Sequence, residues 1–150
     1  MVCEMGNTMW SKIRKQLNDL TCDALKNRVD FHASNYRMHE GIGRTYITVD
    51  GKEVYNMCSL RRDYYGDKKE GVYAQEEFGE AIQSFTNSPF DEMIHSDNTL
   101  IKILVLLDRR LGKRRLADLK TVVEKSEDIV KFFYKLRCDS EGLTLKDDAM

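Results

Sequence analysis

Five positive charges lie within seven residues in the second half of the chain, and they are its densest candidate for chemistry. They are Arg109, Arg110, Lys113, Arg114 and Arg115. Guanidinium and ammonium groups contact phosphate oxygens, so the cluster predicts an anion or nucleic-acid patch. The same charges also stabilise a helix C-terminus, by about 0.3–1 kcal/mol each, and can pair with carboxylates of the same chain. We favour this structural role, because the cluster falls at a joint between two predicted helices.

Three tyrosines near the predicted strands form a second candidate site. They are Tyr36, Tyr46 and Tyr55, and arginines lie close to them along the chain. Tyrosines on an open sheet face are typical of surfaces that bind a protein partner or single-stranded nucleic acid. Tyrosines also cover a sheet beneath helices, with their hydroxyls at the rim. The sequence leaves both interpretations open.

Neither the histidines nor the cysteines are spaced as metal ligands or catalytic groups. His32, His39 and His95 are far apart, and the cysteines at positions 3, 22, 58 and 138 form no C-x-x-C pair. His32 falls on the polar side of a predicted strand, where it would act as a base only beside a suitable partner. The glycine-rich turn at 41–43 is too short for a phosphate-binding loop and no helix follows it. The sequence predicts no metal and no cofactor.

The elements that would position these residues begin with an amphipathic helix. Apolar residues recur at helical spacing from Trp10 to Leu20, and residues 1–8 have no such period. Apolar and polar residues then alternate from Val29 to Ser34, which predicts a strand. We expect a flexible extension at 1–8, one domain at 9–142 and a flexible tail at 143–150.

An Asp50-Gly51 pair between two β-rich segments predicts a tight hairpin, because both turn residues must take positive φ. Simple pairing across this turn sets Ile47 opposite Val54 and Tyr46 opposite Tyr55. One face of the hairpin would then be aliphatic and the other aromatic. With the preceding strand, the hairpin makes a three-stranded antiparallel meander.

A run of helices follows the strands. Leu100 to Leu107 is apolar nearly all round, which indicates a central buried helix, and Gly112 is its predicted stop. Ser126 is the predicted cap of the last helix, whose buried stripe would hold Ile129, Phe132, Phe133 and Leu136. The order of elements predicts an α+β fold: an N-terminal helix, the three-stranded antiparallel meander and about four to five C-terminal helices.

The length and composition of the chain limit the classes of function that it can have. The chain has 150 residues, enough for one domain with a real core, and a net charge of -1 with a pI of about 6.3. A nucleic-acid site would therefore have to be a local patch rather than the whole surface. The longest apolar stretch is too short to span a bilayer, and no secretory signal is visible, so we expect no membrane partner and a cytoplasmic location with reduced thiols.

Three segments resemble a family of small uncharacterised bacterial proteins, some of them carried on mobile gene cassettes. The segments are 9–17 (MWSKIRKQL), 43–55 (GRTYITVDGKEVY) and 107–116 (LDRRLGKRRL). The resemblance spans most of the chain from Met9 to about Gly142. It implies no known activity, and it adds a bacterial origin and an accessory role.

The leading functional hypothesis is a non-enzymatic accessory or protein-binding protein, forming a homodimer through its sheet. The near-zero net charge offers little long-range repulsion between copies. One alternative is nucleic-acid binding through the arginine clusters. Another is an enzyme with an unrecognised site, using His32 or His39 with Glu40 or Glu53.

Overall fold

The computed structural model describes residues 7–34, 44–59 and 75–143, and it confirms the α+β class. A helix comes first, three strands follow, and the rest is helical. The elements are α1 Asn7–Leu20, β1 Val29–Ser34, β2 Arg44–Val49, β3 Lys52–Ser59, α2 Gln75–Asn87, α3 Phe90–Met93, α4 Thr99–Leu107, α5 Lys113–Asp118, α6 Lys120–Glu124 and α7 Asp128–Ser140. Helix α1 begins at Asn7, inside the segment predicted as an extension. Among the described residues, no helix is both long and apolar enough to cross a membrane.

The three strands form an antiparallel sheet in the order β1-β2-β3, as predicted. The hairpin turn is also confirmed: Asp50 has φ 54° and Gly51 has φ 85°. Positive φ at both central residues is the geometry whose twist matches that of the flanking strands.

The predicted pairing within the hairpin is wrong. The register shifts between Ile47 and Thr48, so Ile47 lies opposite Tyr55 and Tyr46 lies opposite Asn56. An extra residue on one strand moves the following side chains to the other face of the sheet. Tyr46 and Tyr55 therefore lie on opposite faces, and the hairpin has no aromatic face that both share.

One face of the sheet forms the core with the helices. Phe31, Ile47 and Val49 are buried on this inner face, and Tyr55 meets Phe133 of α7 edge-on with ring centroids 6.5 Å apart. Burial of such side chains stabilises the fold in proportion to the apolar area removed from water. The sheet and the helices are therefore two layers around one core.

Helix α4 is the central buried helix that its composition predicts. Every one of its residues except Lys102 is buried, and it contacts α2, α3 and α7. Asn98 caps its N-terminus, accepting a hydrogen bond from the Ile101 N–H at 3.0 Å. Its end differs from the prediction: α4 stops at Leu107, and Gly112, with φ -80°, precedes α5 instead.

The C-terminal helices differ from the sequence prediction in three details. The segment predicted as one helix from Leu116 to Val123 divides at Leu119, so six helices follow the sheet within the described residues. Ser126 does not cap α7, because its hydroxyl donates to the Val122 carbonyl and the helix begins at Asp128. Phe132, predicted to be buried, is 42% exposed.

Candidate functional site

The outer face of the sheet, opposite the core, carries a compact polar and aromatic cluster. His32 of β1 lies directly across from Tyr46 of β2, and their rings stack with centroids 5.1 Å apart and planes 17° apart. The Nε2 atom of His32 is 2.8 Å from the Thr48 hydroxyl, within hydrogen-bond distance. All three side chains are half-buried. The alternation of β1 and β2 puts them on one face, because successive side chains of a strand point to opposite sides.

Two ion pairs of matching geometry flank this cluster. The Arg14 guanidinium of α1 donates to both carboxylate oxygens of Asp30, at 3.1 and 2.6 Å. The Arg28 guanidinium donates to both carboxylate oxygens of Asp50, at 2.9 Å each. Each pair joins segments that are distant in sequence, so the two pairs orient α1 and the hairpin turn relative to β1.

The ion pairs also set the charge state of the carboxylates. Partial burial of Asp30 opposes its ionisation, but the hydrogen bonds from Arg14 and from the Phe31 N–H outweigh that effect, so the pKa of Asp30 lies below its ordinary value. The hydrogen bond from Arg28 likewise lowers the pKa of Asp50. Both carboxylates are ionised at neutral pH and compensated by their arginines.

The cluster and its flanking residues line an open groove of about 810 Å³. Glu53 of β3 lines the same groove as His32, so two residues of the predicted enzyme alternative lie on one surface. His39 and Glu40, the other two, lie outside the described residues. The hydrogen bond between His32 and Thr48 has the reach that a general base needs. A histidine and a threonine on neighbouring strands also form such a hydrogen bond as an ordinary structural contact, with no catalytic role.

The structure places two of the three tyrosines of the predicted surface in different environments. Tyr46 lies in the groove, whereas Tyr55 is 6% exposed and belongs to the core. Tyr36 lies outside the described residues. Of the two tyrosines of this predicted surface that the structure describes, only Tyr46 is placed where a partner would reach it.

The basic cluster at 109–115 is partly occupied by internal contacts. Asp108 is buried, and Arg110 donates to both of its carboxylate oxygens, at 3.0 and 2.7 Å. The Arg110 guanidinium also lies 4.6 Å from the centroid of the Phe90 ring. Arg115 pairs with Asp91 at 2.8 Å and lies 5.5 Å from the same ring. These contacts match the structural role that the sequence favoured for the cluster.

The remaining three cations of the cluster are exposed, as Arg110 and Arg115 also are, but none of the three pairs with a carboxylate of the described residues. Arg109 donates from Nε to the Asp19 carbonyl at 3.0 Å, and its backbone N–H donates to the Leu20 carbonyl at 2.7 Å. Within the described part of the chain, Lys113 and Arg114 form no ion pair. The cluster thus holds cations paired with carboxylates, at Arg110 and Arg115, and cations without such a pair in the described part of the chain.

Sequence reasoning missed Arg137, the most connected polar side chain of the described residues. It is buried, and its guanidinium donates to the carbonyls of Leu106, Asp108 and Leu111 at 2.6 to 3.0 Å. It also donates to the Glu141 carboxylate at 2.8 Å. Its position four residues after Phe133, on the buried side of α7, was the available signal.

A family model matches residues 9–70 and 63–138. The chain belongs to the SF0329 protein family. The match supports the resemblance to a family of small uncharacterised proteins, and it reaches from α1 into α7. Comparisons with curated proteins and with solved structures find no significant match.

The described part of this SF0329-family chain holds no group of three or more histidine, cysteine or acidic side chains placed to bind a metal. Cys22 and Cys138 are free and buried, whereas the side chains of Cys3 and Cys58 lie outside the described residues. Burial raises the pKa of the Cys22 thiol, so this cysteine stays protonated at neutral pH and is a poor nucleophile.

Proposed function

We propose that this SF0329-family chain is a non-enzymatic accessory protein that acts by binding protein through the outer face of its sheet. The observation that carries the proposal is the stack of His32 on Tyr46, which lies in an open groove beside two bidentate ion pairs. The partner that we favour is a second copy of the chain.

The groove has the anatomy of a protein interface. Aromatic residues are enriched at the centres of such interfaces, and polar residues form the rim. Here the stacked rings of His32 and Tyr46 supply the aromatic part, and the Arg14–Asp30 and Arg28–Asp50 pairs supply a charged border on the side of the hairpin turn. Tyr46 is the residue that would contribute most to binding, since tyrosine is among the commonest residues with large effects on affinity.

The charges of the groove suit a second copy better than a nucleic acid. Its lining carries cations, at Lys26 and Arg28, and carboxylates, at Asp30, Asp50 and Glu53. Asp30 and Asp50 are already paired with Arg14 and Arg28, so the groove has no excess of positive charge to attract a uniformly negative phosphate backbone. In a symmetric dimer each copy presents both signs to the other, so opposite charges can face each other twice.

Light scattering at micromolar concentration tests this proposal. We expect a dimeric mass for the wild-type chain. Replacing Tyr46 with alanine removes the aromatic centre, so Tyr46→Ala should weaken self-association by about tenfold or more. Phe132→Ala is the matched control: it removes an exposed aromatic ring from α7, outside the groove, and should leave the mass unchanged.

A monomeric mass at every concentration would contradict the favoured partner. Equal weakening of self-association by Tyr46→Ala and Phe132→Ala would contradict the assignment of the interface to the groove of the sheet. The nucleic-acid alternative predicts something else: salt-sensitive binding of a labelled oligonucleotide that falls when Arg114, exposed in the basic cluster, is replaced by glutamine.

We also propose a cellular location and a role for the chain. We place the chain in the cytoplasm of a bacterium, in an accessory role, on the resemblance of its three sequence segments to proteins that travel on mobile gene cassettes. Cys22 and Cys138 are free thiols, which is compatible with a reducing compartment.

A further inference from the structure

The basic cluster divides into groups that face different ways. Arg110 and Arg115 turn toward the Phe90 ring, where both make contacts within the chain. Arg109 and Lys113 instead line a cleft on another part of the surface, together with Lys26. Arg114 belongs to neither group. This separation of Arg109 and Lys113 from the other cations does not follow from their order in the sequence.

The cleft lies where three segments meet. The turn after α1 contributes Cys22, Asp23 and Lys26, the segment between α4 and α5 contributes Arg109 and Gly112, and α7 supplies Arg137 from below. The cleft encloses about 800 Å³. The cleft is open to solvent, and its volume lies within the range of about 300–1,000 Å³ that is typical of small-molecule sites.

The charges of the cleft leave a local excess of cations. Its carboxylates are Asp19, Asp23 and Glu141. Lys15 pairs with Asp19 at 3.0 Å, and Arg137 pairs with Glu141 at 2.8 Å. With these two ion pairs set aside, the remaining charged residues that line the cleft are three cations, Lys26, Arg109 and Lys113, and one carboxylate, Asp23.

The backbone holds Arg109 in a defined position. Its Nε and its backbone N–H both donate to carbonyls at the end of α1, at 3.0 and 2.7 Å. The Nε hydrogen bond leaves the two terminal amino groups of the guanidinium to donate into the cleft, and a guanidinium held in this way pays less entropy when it binds an anion. Arg137 keeps the walls of the cleft in place but is already bonded to three carbonyls and to Glu141.

We infer that this cleft binds a small polyvalent anion, with Arg109 and Lys113 as its main contacts and Lys26 closing the other side. Lys26 lines both the groove and the cleft, whereas Arg109 and Lys113 line only the cleft. A variant at Lys113 therefore tests the cleft without changing the groove of the sheet. The chemistry fits either a phosphate group or a compact polycarboxylate, since guanidinium and ammonium groups bind both.

Isothermal titration at low ionic strength, with inorganic pyrophosphate and with citrate as probes, tests the inference. We expect at least one of the two probes to bind the wild-type chain. The probe that binds more tightly shows whether the cleft prefers phosphate or carboxylate groups. Lys113→Gln should weaken that binding by about tenfold or more, because it removes one charge-assisted contact. Lys113→Arg should restore most of it.

Arg114→Gln is the matched control. Arg114 is the next residue along α5, is also exposed, and does not line the cleft, so its loss should change the affinity by less than about twofold. Equal weakening by Lys113→Gln and Arg114→Gln would show general charge attraction and overturn the inference. Failure of both probes to bind the wild-type chain would also overturn it. A thermal melt of each variant confirms that the fold is intact, since neither side chain has an ion pair within the described residues.

Discussion

Arg137 shows how a single residue can organise a polar segment inside a core. The chain leaves α4 at Leu107 and enters α5 at Lys113, and the carbonyls of this connecting segment are turned inward. Buried carbonyls without a donor would each cost about 1–3 kcal/mol. Arg137 supplies the donors, since one planar guanidinium reaches the carbonyls of Leu106, Asp108 and Leu111 together.

Replacing Arg137 with methionine should therefore lower the free energy of unfolding by about 3–5 kcal/mol. Methionine keeps an unbranched apolar chain but removes every donor, which takes their partner from the Leu106 and Leu111 carbonyls and from the Glu141 carboxylate. The Asp108 carbonyl keeps the hydrogen bond from the Leu111 N–H at 3.1 Å. Urea unfolding followed by circular dichroism measures the loss. Lys135→Met is the control, because Lys135 pairs with Asp139 at the same four-residue spacing but on the exposed side of α7. It should cost no more than about 1 kcal/mol, and a comparable loss in both variants would contradict a special role for Arg137.

At the residue scale, the sequence predicted types of contact better than it predicted partners. Pairing with an internal carboxylate was considered for Arg109, whose Nε instead donates to a backbone carbonyl, whereas Arg110 and Arg115 pair with Asp108 and Asp91. Arg137 was not singled out, because its acceptors are backbone carbonyls about 30 residues away. Such acceptors have no side-chain signature, so a pattern of residue types cannot reveal them.

At the scale of elements, the hairpin was predictable in its turn but not in its register. The Asp50-Gly51 pair indicates the turn because few residues adopt positive φ. The shift beyond Thr48 has no comparable local signature. The observed register places Tyr55 against Phe133 in the core, and this contact depends on α7, which the sequence of the hairpin itself cannot reveal.

Gly51→Val should destabilise the hairpin. Gly51 has φ 85°, a conformation that costs an ordinary L-residue about 1–2 kcal/mol, and a β-branched residue resists it further. Thermal unfolding measures the effect. Gly112→Ala is the matched control, because Gly112 has φ -80° and an added Cβ would meet no atom within 4 Å. We expect that change to stay within about 0.5 kcal/mol. Equal stability of the Gly51→Val variant and the wild-type chain would contradict the strain argument.

The ends of the helices were less predictable than their interiors. Gly112 was predicted to stop α4, yet the helix already ends at Leu107, and the side chain of the next residue, Asp108, accepts from Arg110. Ser126 was predicted to cap α7, yet its hydroxyl donates back to the Val122 carbonyl of α6. Glycine and serine serve several kinds of helix boundary, so residue type alone does not decide which helix they end or begin.

At the scale of the whole molecule, the two-layer arrangement follows from the order of elements and from one helix. A helix that is apolar all round must be surrounded, and α4 contacts other helices on several sides. The sequence therefore predicted where the core lies. It did not predict which surfaces would gather the functional candidates, because the groove and the cleft each combine residues from distant segments.

Leu104→Ala is the change that tests α4 as the centre of one cooperative unit. Leu104 is 3% exposed, and its truncation would leave a cavity among well-packed neighbours, so the free energy of unfolding should fall by about 2–5 kcal/mol. Because α4 is central, the loss should appear equally in the far-ultraviolet signal of the helices and in the near-ultraviolet signal of the aromatic core. Val122→Ala is the control: Val122 is also aliphatic but 52% exposed, and its truncation should cost less than about 0.5 kcal/mol. Separate transitions for the two signals would contradict a single core, and an unchanged midpoint would contradict the central position of α4.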